Sequence, residues 1–321
     1  MKQVEHLLGY RASIKVMDAT LRDGGLVNDF YFTDDFVKAL YKTNLEAGVD
    51  YMEMGYRASK KVFDETKFGK WKFCSDDHIR EIVGENDTDL KLAIMADIGR
   101  HDKNDFDEKV NSPVDMVRVA AYIHQMPEAI DMIEDAHKKG YETTCNIMAI
   151  SQTRESDLKV ALDMLGKTPV DTIYIVDSFG SIYPEEMKRI VDIYMEAATK
   201  YGKQLGVHAH NNQQLAFANT IEACGDGVNW LDATYKGMGR GAGNCAMELL
   251  LGFLKNPKYN TYPVFRFISD YMVKLEEDGV VWGYDLQYLM TGQLNQHPRA
   301  AIKFTKDKRK DYAEFYKELI V

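Results

Sequence analysis

The chain has 321 residues, of which 45% are apolar, and its 23 glycines and 7 prolines are ordinary numbers, so the composition excludes a disordered or fibrous protein. Its net charge of −10 arises from interspersed acidic and basic residues, which argues against a nucleic-acid-binding surface. No segment approaches the roughly 18 consecutive apolar residues of a membrane span, and residues 1–10 lack a signal-peptide core. We therefore expect a cytoplasmic protein that acts on a small molecule, without a nucleic-acid or membrane partner.

Short β-rich runs alternate with longer helical patterns along most of the chain, which is typical of βα units and a parallel sheet. The predicted strands cover residues 14–17, 50–54, 91–95, 116–120, 144–149, 172–176, 204–207 and 230–233, and clear helical patterns cover residues 34–47, 127–139, 156–165, 184–201 and 213–224. Eight such units predict a closed (β/α)8 barrel of the TIM type. An open doubly wound sheet is the alternative, but no G-x-G-x-x-G follows the first strand.

The pattern changes after residue 255, where mostly helical periodicity continues to the carboxyl terminus. We predict a barrel domain over residues 1–255 and a helical extension over residues 256–321 that packs on the barrel. The apolar and aromatic residues of the extension favour self-association into a homo-oligomer.

A His-x-His pair, His208 and His210, ends the seventh predicted strand. Residues at i and i+2 share one face of a strand and lie about 7 Å apart along it. Imidazole nitrogens bind divalent ions at about 2.0–2.1 Å, so two converging rings can share a metal. In isolation, the pair is equally compatible with one packed and one solvated histidine.

Catalytic groups of a barrel lie at the carboxyl ends of its strands. Asp23 follows the first strand, which lies one strand away from the seventh in a closed barrel, so Asp23, His208 and His210 form a candidate metal triad. Arg22 beside it could balance negative charge on a substrate carbonyl. Asp23 precedes two glycines and could instead belong to a simple turn.

Other polar residues at strand ends have two interpretations each. Glu53 follows the second strand and could orient Arg22 or pair within the barrel. Asp177 and Ser178 could contact substrate or cap a helix. The glycine-rich residues 237–243 could cradle a phosphate, although alone they are weak evidence.

Three motifs resemble those of one enzyme family. They are Thr20-Leu21-Arg22-Asp23-Gly24, His208-x-His210-Asn211 and Gly237-x-Gly239-x-Gly241-x-Gly243-Asn244, in order on the first, seventh and eighth strands. Together they are similar to the HMG-CoA lyase-like metallolyases, which include 4-hydroxy-2-oxovalerate aldolase, HMG-CoA lyase and the isopropylmalate and homocitrate synthases. The resemblance spans residues 14–255 and is strongest to the aldolase branch, on residues 176–180 and 232–239.

The resemblance implies a divalent ion, Mn²⁺ or Mg²⁺ with Zn²⁺ as a further option, held by Asp23, His208 and His210 with Asn244 as a further ligand. It implies a 2-oxo acid and an aldehyde as substrates, with Arg22 stabilising a pyruvate enolate. The remaining candidates for substrate contact are Glu53, Asp177 and Ser178.

One departure concerns proton transfer. The aldolase pattern resembles Arg-Asp-Gly-x-His, with that histidine as the base, but this chain has Leu26 there. The open candidates for a base are Asp29, Tyr284 and His297. The synthase branch carries Glu-Gln where this chain has Gly25 and Leu26. We therefore predict a metal-dependent aldolase or lyase; the alternatives are an acyl-CoA condensing synthase and a non-catalytic barrel that binds a metal or metabolite.

Overall fold

Eight parallel strands form a closed barrel in this computed structural model, which describes residues 13–102 and 105–321. The strands are β1 (Lys15–Asp18), β2 (Tyr51–Tyr56), β3 (Lys91–Asp97), β4 (Met116–Ala121), β5 (Glu142–Ile147), β6 (Thr172–Asp177), β7 (Gln204–Ala209) and β8 (Trp230–Ala233). Strand β8 pairs with β1, from Lys15 opposite Trp230 to Asp18 opposite Ala233, so the sheet closes. The predicted TIM-type barrel is confirmed and the open sheet is excluded. The residues inspected for a signal peptide, 1–10, lie outside the described part.

Several strands extend beyond the predicted carboxyl ends, because polar residues there still pair with the neighbouring strand. Asp97 pairs with Ala120 of β4, and Asp177 pairs with Ala209 of β7. Strand β5 starts two residues earlier than predicted and ends at Ile147, and Ala149 beyond it has a left-handed φ of 53°. The strand prediction for residues 148 and 149 was therefore wrong.

The short, buried helix α1 (Thr20–Gly24) lies at the mouth of the barrel, directly after β1. Longer helices cover the outside: α2 (Asp34–Ala47), α3 (Asp76–Val83), α4 (Met126–Lys138), α5 (Glu155–Gly166), α6 (Pro184–Tyr201), α7 (Ala216–Gly225) and α8 (Met247–Leu254). Helix α2 begins where the Thr33 side chain accepts a hydrogen bond from the Phe36 amide and ends at Gly48, whose φ is 73°. Helices α2 and α6 have the predicted bounds. Among the described residues that connect β3 to β4, the only helical segment is a 3₁₀ turn, Lys109–Asn111.

The barrel interior has an apolar floor below its polar mouth. The floor consists of buried residues from alternating strand positions: Met17, Tyr51, Ala93, Met116, Tyr174, Val176 and Trp230. Gly206 makes room for the Tyr174 ring, since a Cβ at this position would lie 2.5 Å from ring atoms. The ring in turn supports Arg118, whose guanidinium carbon lies 4.5 Å from the ring centroid.

The helices after the barrel confirm a mostly helical carboxyl-terminal segment. They are α9 (Thr261–Phe267), α10 (Val273–Glu277), α11 (Leu286–Gln293), α12 (Arg299–Lys306) and α13 (Tyr312–Ile320), with a π-helical turn, Ile268–Met272, between α9 and α10. Phe267 of α9 is buried among Phe36 of α2, Tyr235 and Tyr271, at centroid distances of 5.0–5.2 Å. Helices α11 to α13 form a smaller core of their own. The domain boundary at residue 255 stays a prediction.

The described helices include none that is both long and apolar enough to span a bilayer.

The ring cluster around Phe267 gives a test of the packing. Replacing Phe267, which is 2% exposed, by alanine should lower the free energy of unfolding by about 3–5 kcal/mol, because a buried aromatic side chain leaves a cavity. Phe265 lies on the same helix and is 54% exposed, so Phe265→Ala should change it by less than about 0.5 kcal/mol. Urea unfolding measures both, and equal effects would contradict the described packing.

Candidate active site

Three metal-ligating side chains converge at the carboxyl-terminal mouth of the barrel. Asp23 lies on the short helix α1 directly after β1, His208 lies in β7, and His210 follows the end of β7. One ligand atom from each of the three lies within 4.8 Å of the other two, and all three residues are buried. The predicted triad is therefore brought together in space.

Unpaired polar atoms show that this group suits a cation. Asp23 Oδ2, His210 Nε2 and Asn244 Oδ1 are buried without a hydrogen-bond partner. Buried acceptors without partners are costly, and a cation held between these three atoms would satisfy them. One carboxylate oxygen and two imidazole nitrogens, with an amide oxygen nearby, are donors for Mg²⁺, Mn²⁺ or Zn²⁺. The residues present therefore fit a divalent metal ion.

Hydrogen bonds behind the histidines fix their orientation. His208 Nδ1 lies 2.9 Å from Asp232 Oδ2, and His210 Nδ1 lies 2.9 Å from the carbonyl oxygen of Asp177. When Nδ1 donates in both rings, each Nε2 carries the lone pair that a metal ligand needs. Burial and the nearby Arg22 lower the pKa of His208, which favours the neutral, ligating form.

The glycine-rich segment after β8 carries Asn244 to the same point. The Asn244 side-chain nitrogen lies 3.0 Å from His208 Nε2. A Cβ at Gly239 would overlap Asn244 Oδ1 and would lie 2.7 Å from Asp23 Oδ2. Glycine is therefore required at position 239 for Asn244 to reach the triad.

A chain of alternating buried charges lies beneath the triad. Arg22 contacts Asp23 Oδ1 through Nη1 and Glu53 Oε2 through Nε, both at 2.7 Å. Arg118 lies 2.9 Å from the same Glu53 oxygen and 2.6 Å from Asp232 Oδ2. The chain of contacts thus runs from the Asp23 carboxylate to the carboxylate that orients His208.

These contacts set the ionisation of Asp23. Burial alone would raise the pKa of Asp23, but Arg22, His210 and His208 together hold it well below its usual range. The carboxylate therefore remains ionised at neutral pH, as a metal ligand must.

A small cavity of about 70 Å³ opens above the triad. Its lining combines the candidate ligands with both polar and apolar side chains: Arg22, Asp23, Leu26, Tyr56, Met95, Asp97, Ala120, Tyr122, Asn146, Met148, Val176, Ser178, Phe179, His208, His210, Arg240 and His297. Leu26 lines the cavity, so the position of the aldolase histidine faces the site but carries no proton-transfer group.

Comparison with known proteins identifies the family. The HMGL-like family model matches residues 13–266. The chain belongs to the HMGL-like family. This confirms the resemblance found in the motifs and the predicted lyase class.

Named relatives of this HMGL-like chain are 2-oxo acid enzymes. It is 28% identical over 242 residues to oxaloacetate decarboxylase of Mycobacterium tuberculosis, covering 75% of this chain and 69% of that protein. It is 29% identical over 247 residues to 4-hydroxy-2-oxovalerate aldolase of Thermus thermophilus, covering 76% of this chain and 70% of that protein. Among solved structures, the amino-terminal domain of a Bacteroides vulgatus protein provisionally assigned as an aldolase aligns with a TM-score of 0.74 at 29% identity, covering 91% of this chain and 97% of that one.

The structure gives two other predicted residues, Glu53 and Asp177, supporting positions. Glu53 is fully buried and forms ion pairs with Arg22 and Arg118. It therefore orients Arg22, which was one of the two roles that the sequence suggested for it. The Asp177 carboxylate accepts hydrogen bonds from the Ser181 and Ile182 amides, and burial raises its pKa to about 7. These residues act behind the cavity wall, whereas the prediction placed Glu53 and Asp177 in contact with substrate. Ser178 does line the cavity.

The three candidate bases lie in different surroundings. His297 lines the cavity, and its ring lies 5.8 Å from that of Phe179. Asp29 is exposed and Tyr284 is 44% exposed, and neither is among the residues that line the cavity. The geometry thus favours His297 over the other two.

Two cavity residues, Asp97 and Arg240, were missed by sequence reasoning. Asp97 directly follows the apolar run of β3, so the strand-end rule applied to Asp23 could have found it. Arg240 is the only charged residue between Gly237 and Gly243, within a motif whose glycines and Asn244 carry the family resemblance.

Replacing Asp23 by asparagine tests the metal site. Loss of the charged ligand should weaken Mn²⁺ binding by more than the roughly 10- to 100-fold typical of residues behind a ligand. Binding is measured by titration calorimetry or by electron paramagnetic resonance of free Mn²⁺. The exposed neighbour variant Asp29→Asn should bind like the wild type, and an unchanged affinity in Asp23→Asn would refute the assignment.

Proposed function

We propose that this HMGL-like protein is a divalent-metal-dependent lyase that breaks or forms a carbon–carbon bond beside the carbonyl of a 2-oxo acid, with pyruvate as the common fragment. The observation that carries the proposal is the buried group of Asp23, His208 and His210, with Arg22 beside it in one cavity. The substrates in the relatives' names, 4-hydroxy-2-oxovalerate and oxaloacetate, both give pyruvate when the bond between C3 and C4 breaks.

Asp23, His208 and His210 would hold the ion, with Asn244 as a further ligand. We propose Mn²⁺ or Mg²⁺, although the same donors also accept Zn²⁺. When bound, a divalent ion held by these residues would serve as a Lewis acid toward the 2-oxo carbonyl.

Arg22 is positioned to stabilise developing negative charge. Its Nη1 and Nε are held by Asp23 and Glu53, which orients the guanidinium plane. Arg22 lines the cavity, and its Nη2 makes no hydrogen bond within the described part of the chain. A fixed donor of this kind favours the state in which the substrate's carbonyl oxygen becomes negative.

The reaction requires a proton to move. In the direction of bond formation, the pyruvate methyl group loses a proton, its carbon bonds to the aldehyde carbon, and the aldehyde oxygen gains a proton. Cleavage reverses these steps. Leu26 cannot accept the proton, so another cavity residue must.

Asp97 is our candidate for the base. It lines the cavity from the end of β3, and its Oδ1 is buried without a hydrogen-bond partner. Burial raises the pKa of Asp97, against the opposing effect of Arg100, Lys72 and Arg22. A raised pKa brings a carboxylate closer to the working pH, where a general base is most effective. Burial lowers the pKa of His297 to about 3, which makes its neutral imidazole the weaker base.

Deuterium exchange at the pyruvate methyl group isolates this step, because it needs no second substrate. The wild type with Mg²⁺ should exchange in D₂O as followed by ¹H NMR, and Asp23→Asn should not. Asp97→Asn should exchange about 10²- to 10⁴-fold more slowly, the range for loss of a general base. Its Mn²⁺ affinity should not change.

Asp102 is a partly exposed carboxylate on the loop after β3, so Asp102→Asn is the matched control and should exchange like the wild type. If Asp97→Asn exchanges deuterium normally and His297→Gln does not, the general base is His297. Metal-bound wild type without any exchange would remove pyruvate as the donor.

The exchange rate should also depend on pH through Asp97. The base works only when ionised, so the rate should fall as pH falls through the Asp97 pKa. Because burial raises that pKa, the fall should begin above the pH expected for an ordinary aspartate, whose pKa is about 3.9. The charged groups around Asp97 are Arg100, Lys72 and Arg22, and Tyr56 stays neutral since burial raises its pKa. A profile of the same shape in Asp97→Asn would contradict the assignment.

A condensing synthase and a non-catalytic barrel would each give a distinct result. Thiol release from acetyl-CoA would identify the synthase, and pyruvate binding without exchange would identify the non-catalytic barrel. The aldehyde partner, the cytoplasmic location and the homo-oligomer remain predictions.

A further inference from the structure

The small cavity above the triad borders a larger open cleft of about 460 Å³. The two spaces share Tyr122, Met148, Phe179 and His297 as walls. A substrate that reaches the triad with one end can therefore extend outward into this cleft. We call it the outer cleft.

The outer cleft and the cavity contain an unusual set of arginines. Within residues 13–102 and 105–321, every arginine has a carboxylate oxygen within 4.0 Å except Arg154, Arg240 and Arg299. Arg240 lines the cavity, and Arg154 and Arg299 line the outer cleft. The three come from separate segments: the residue before α5, the loop after β8 and the start of α12. The arginines without an ion-pair partner thus lie along one path that leads to the triad.

Arg240 is held in place but is not neutralised. Its Nη2 donates to the carbonyl oxygen of Ser178 at 2.8 Å, and its Nε is buried without a partner. Arg22 differs because two carboxylates contact it. A buried donor without a partner is costly, and a guanidinium satisfies it best with a bidentate carboxylate or phosphate.

The local field agrees with an excess of positive charge. Burial, followed by Arg240 and Arg299, lowers the pKa of His297, which lies in both spaces. Among the described residues, Asp157 is the one carboxylate that lines the outer cleft, against two arginines there and Arg240 within. The inner cavity adds Arg22 and Arg240 against Asp23 and Asp97, so the described walls of the two spaces together carry four arginines and three carboxylates.

We propose that the second substrate carries an anionic group, a phosphate or a carboxylate, that binds to Arg240, Arg154 and Arg299. The identity of this molecule as the aldehyde partner of a 2-oxo acid rests on the proposed function. The anion-binding site itself rests only on the arginines and the cleft.

Binding of matched small molecules tests the site directly. The Mg²⁺-loaded full chain is titrated with glycerol 3-phosphate, with succinate and with neutral glycerol. The phosphate, the dicarboxylate or both should bind, and glycerol should not. The double variant Arg154→Gln/Arg299→Gln changes exposed side chains and should fold normally. It should weaken binding of the anion by about tenfold or more, as expected for loss of hydrogen bonds from charged donors.

The control is Arg266→Gln, an arginine of α9 that pairs with Glu46 and lies outside both spaces. It should bind the anions like the wild type. If the double variant binds the anions as tightly as the wild type, Arg154 and Arg299 have no role in binding. If Arg266→Gln loses as much affinity as the double variant, the effect is one of general charge, and this result also overturns the proposal. The stronger of the two anions identifies which chemical group the site accepts.

Turnover separates this proposal from the proposed function. With pyruvate as donor, kcat/KM should be higher for glyceraldehyde 3-phosphate or glyoxylate than for glyceraldehyde, and the double variant Arg154→Gln/Arg299→Gln should reduce this preference. Pyruvate exchange should be the same in the double variant and the wild type. If pyruvate exchanges deuterium but charged and neutral aldehydes have equal kcat/KM, the proposal of an anionic partner is wrong and the proposed lyase function stands. Absence of exchange would remove pyruvate as the donor, and the binding titration would still decide the anion site.

Discussion

The buried contact between Arg22 and Glu53 is the interaction on which the rest of the site depends. It orients the guanidinium toward the cavity and links it, through Arg118 and Asp232, to the histidine side of the triad. Removing one member of a buried ion pair typically costs about 3–5 kcal/mol, because the partner charge is left uncompensated. The barrel therefore cannot lose one member of this contact without also losing stability.

Local patterns predicted much of the fold. Strand and helix positions follow from residue periodicity, which a sequence displays directly, and the His208-x-His210 pair marks a strand end by itself. The charge chain could not be predicted in the same way. Arg118 and Asp232 are 114 residues apart and meet only because β4 and β8 face each other across the closed barrel. Their pairing depends on closure, which no short segment contains.

The candidate site illustrates the same limit on a smaller scale. Tyr284 and His297 are both polar aromatic residues of the carboxyl-terminal segment, and neither sequence context distinguishes them. Packing distinguishes the two residues, since the His297 ring lies against Phe179 at the cavity, whereas Tyr284 is 44% exposed. Asp97 could have been predicted, because it ends a strand as the other candidate site residues do. Arg240 could not, because what distinguishes it is that no carboxylate lies beside it in the described part of the folded chain.

The two ends of the cleft come from different parts of the chain. The family match ends at residue 266, whereas His297 lies between α11 and α12 and Arg299 begins α12. The barrel thus supplies the groups that would carry out bond chemistry, and the later helices contribute part of the wall that a second substrate would meet. Such a division allows descendants of one ancestor to exchange or remodel a terminal segment and acquire new substrates while the reaction itself is inherited unchanged.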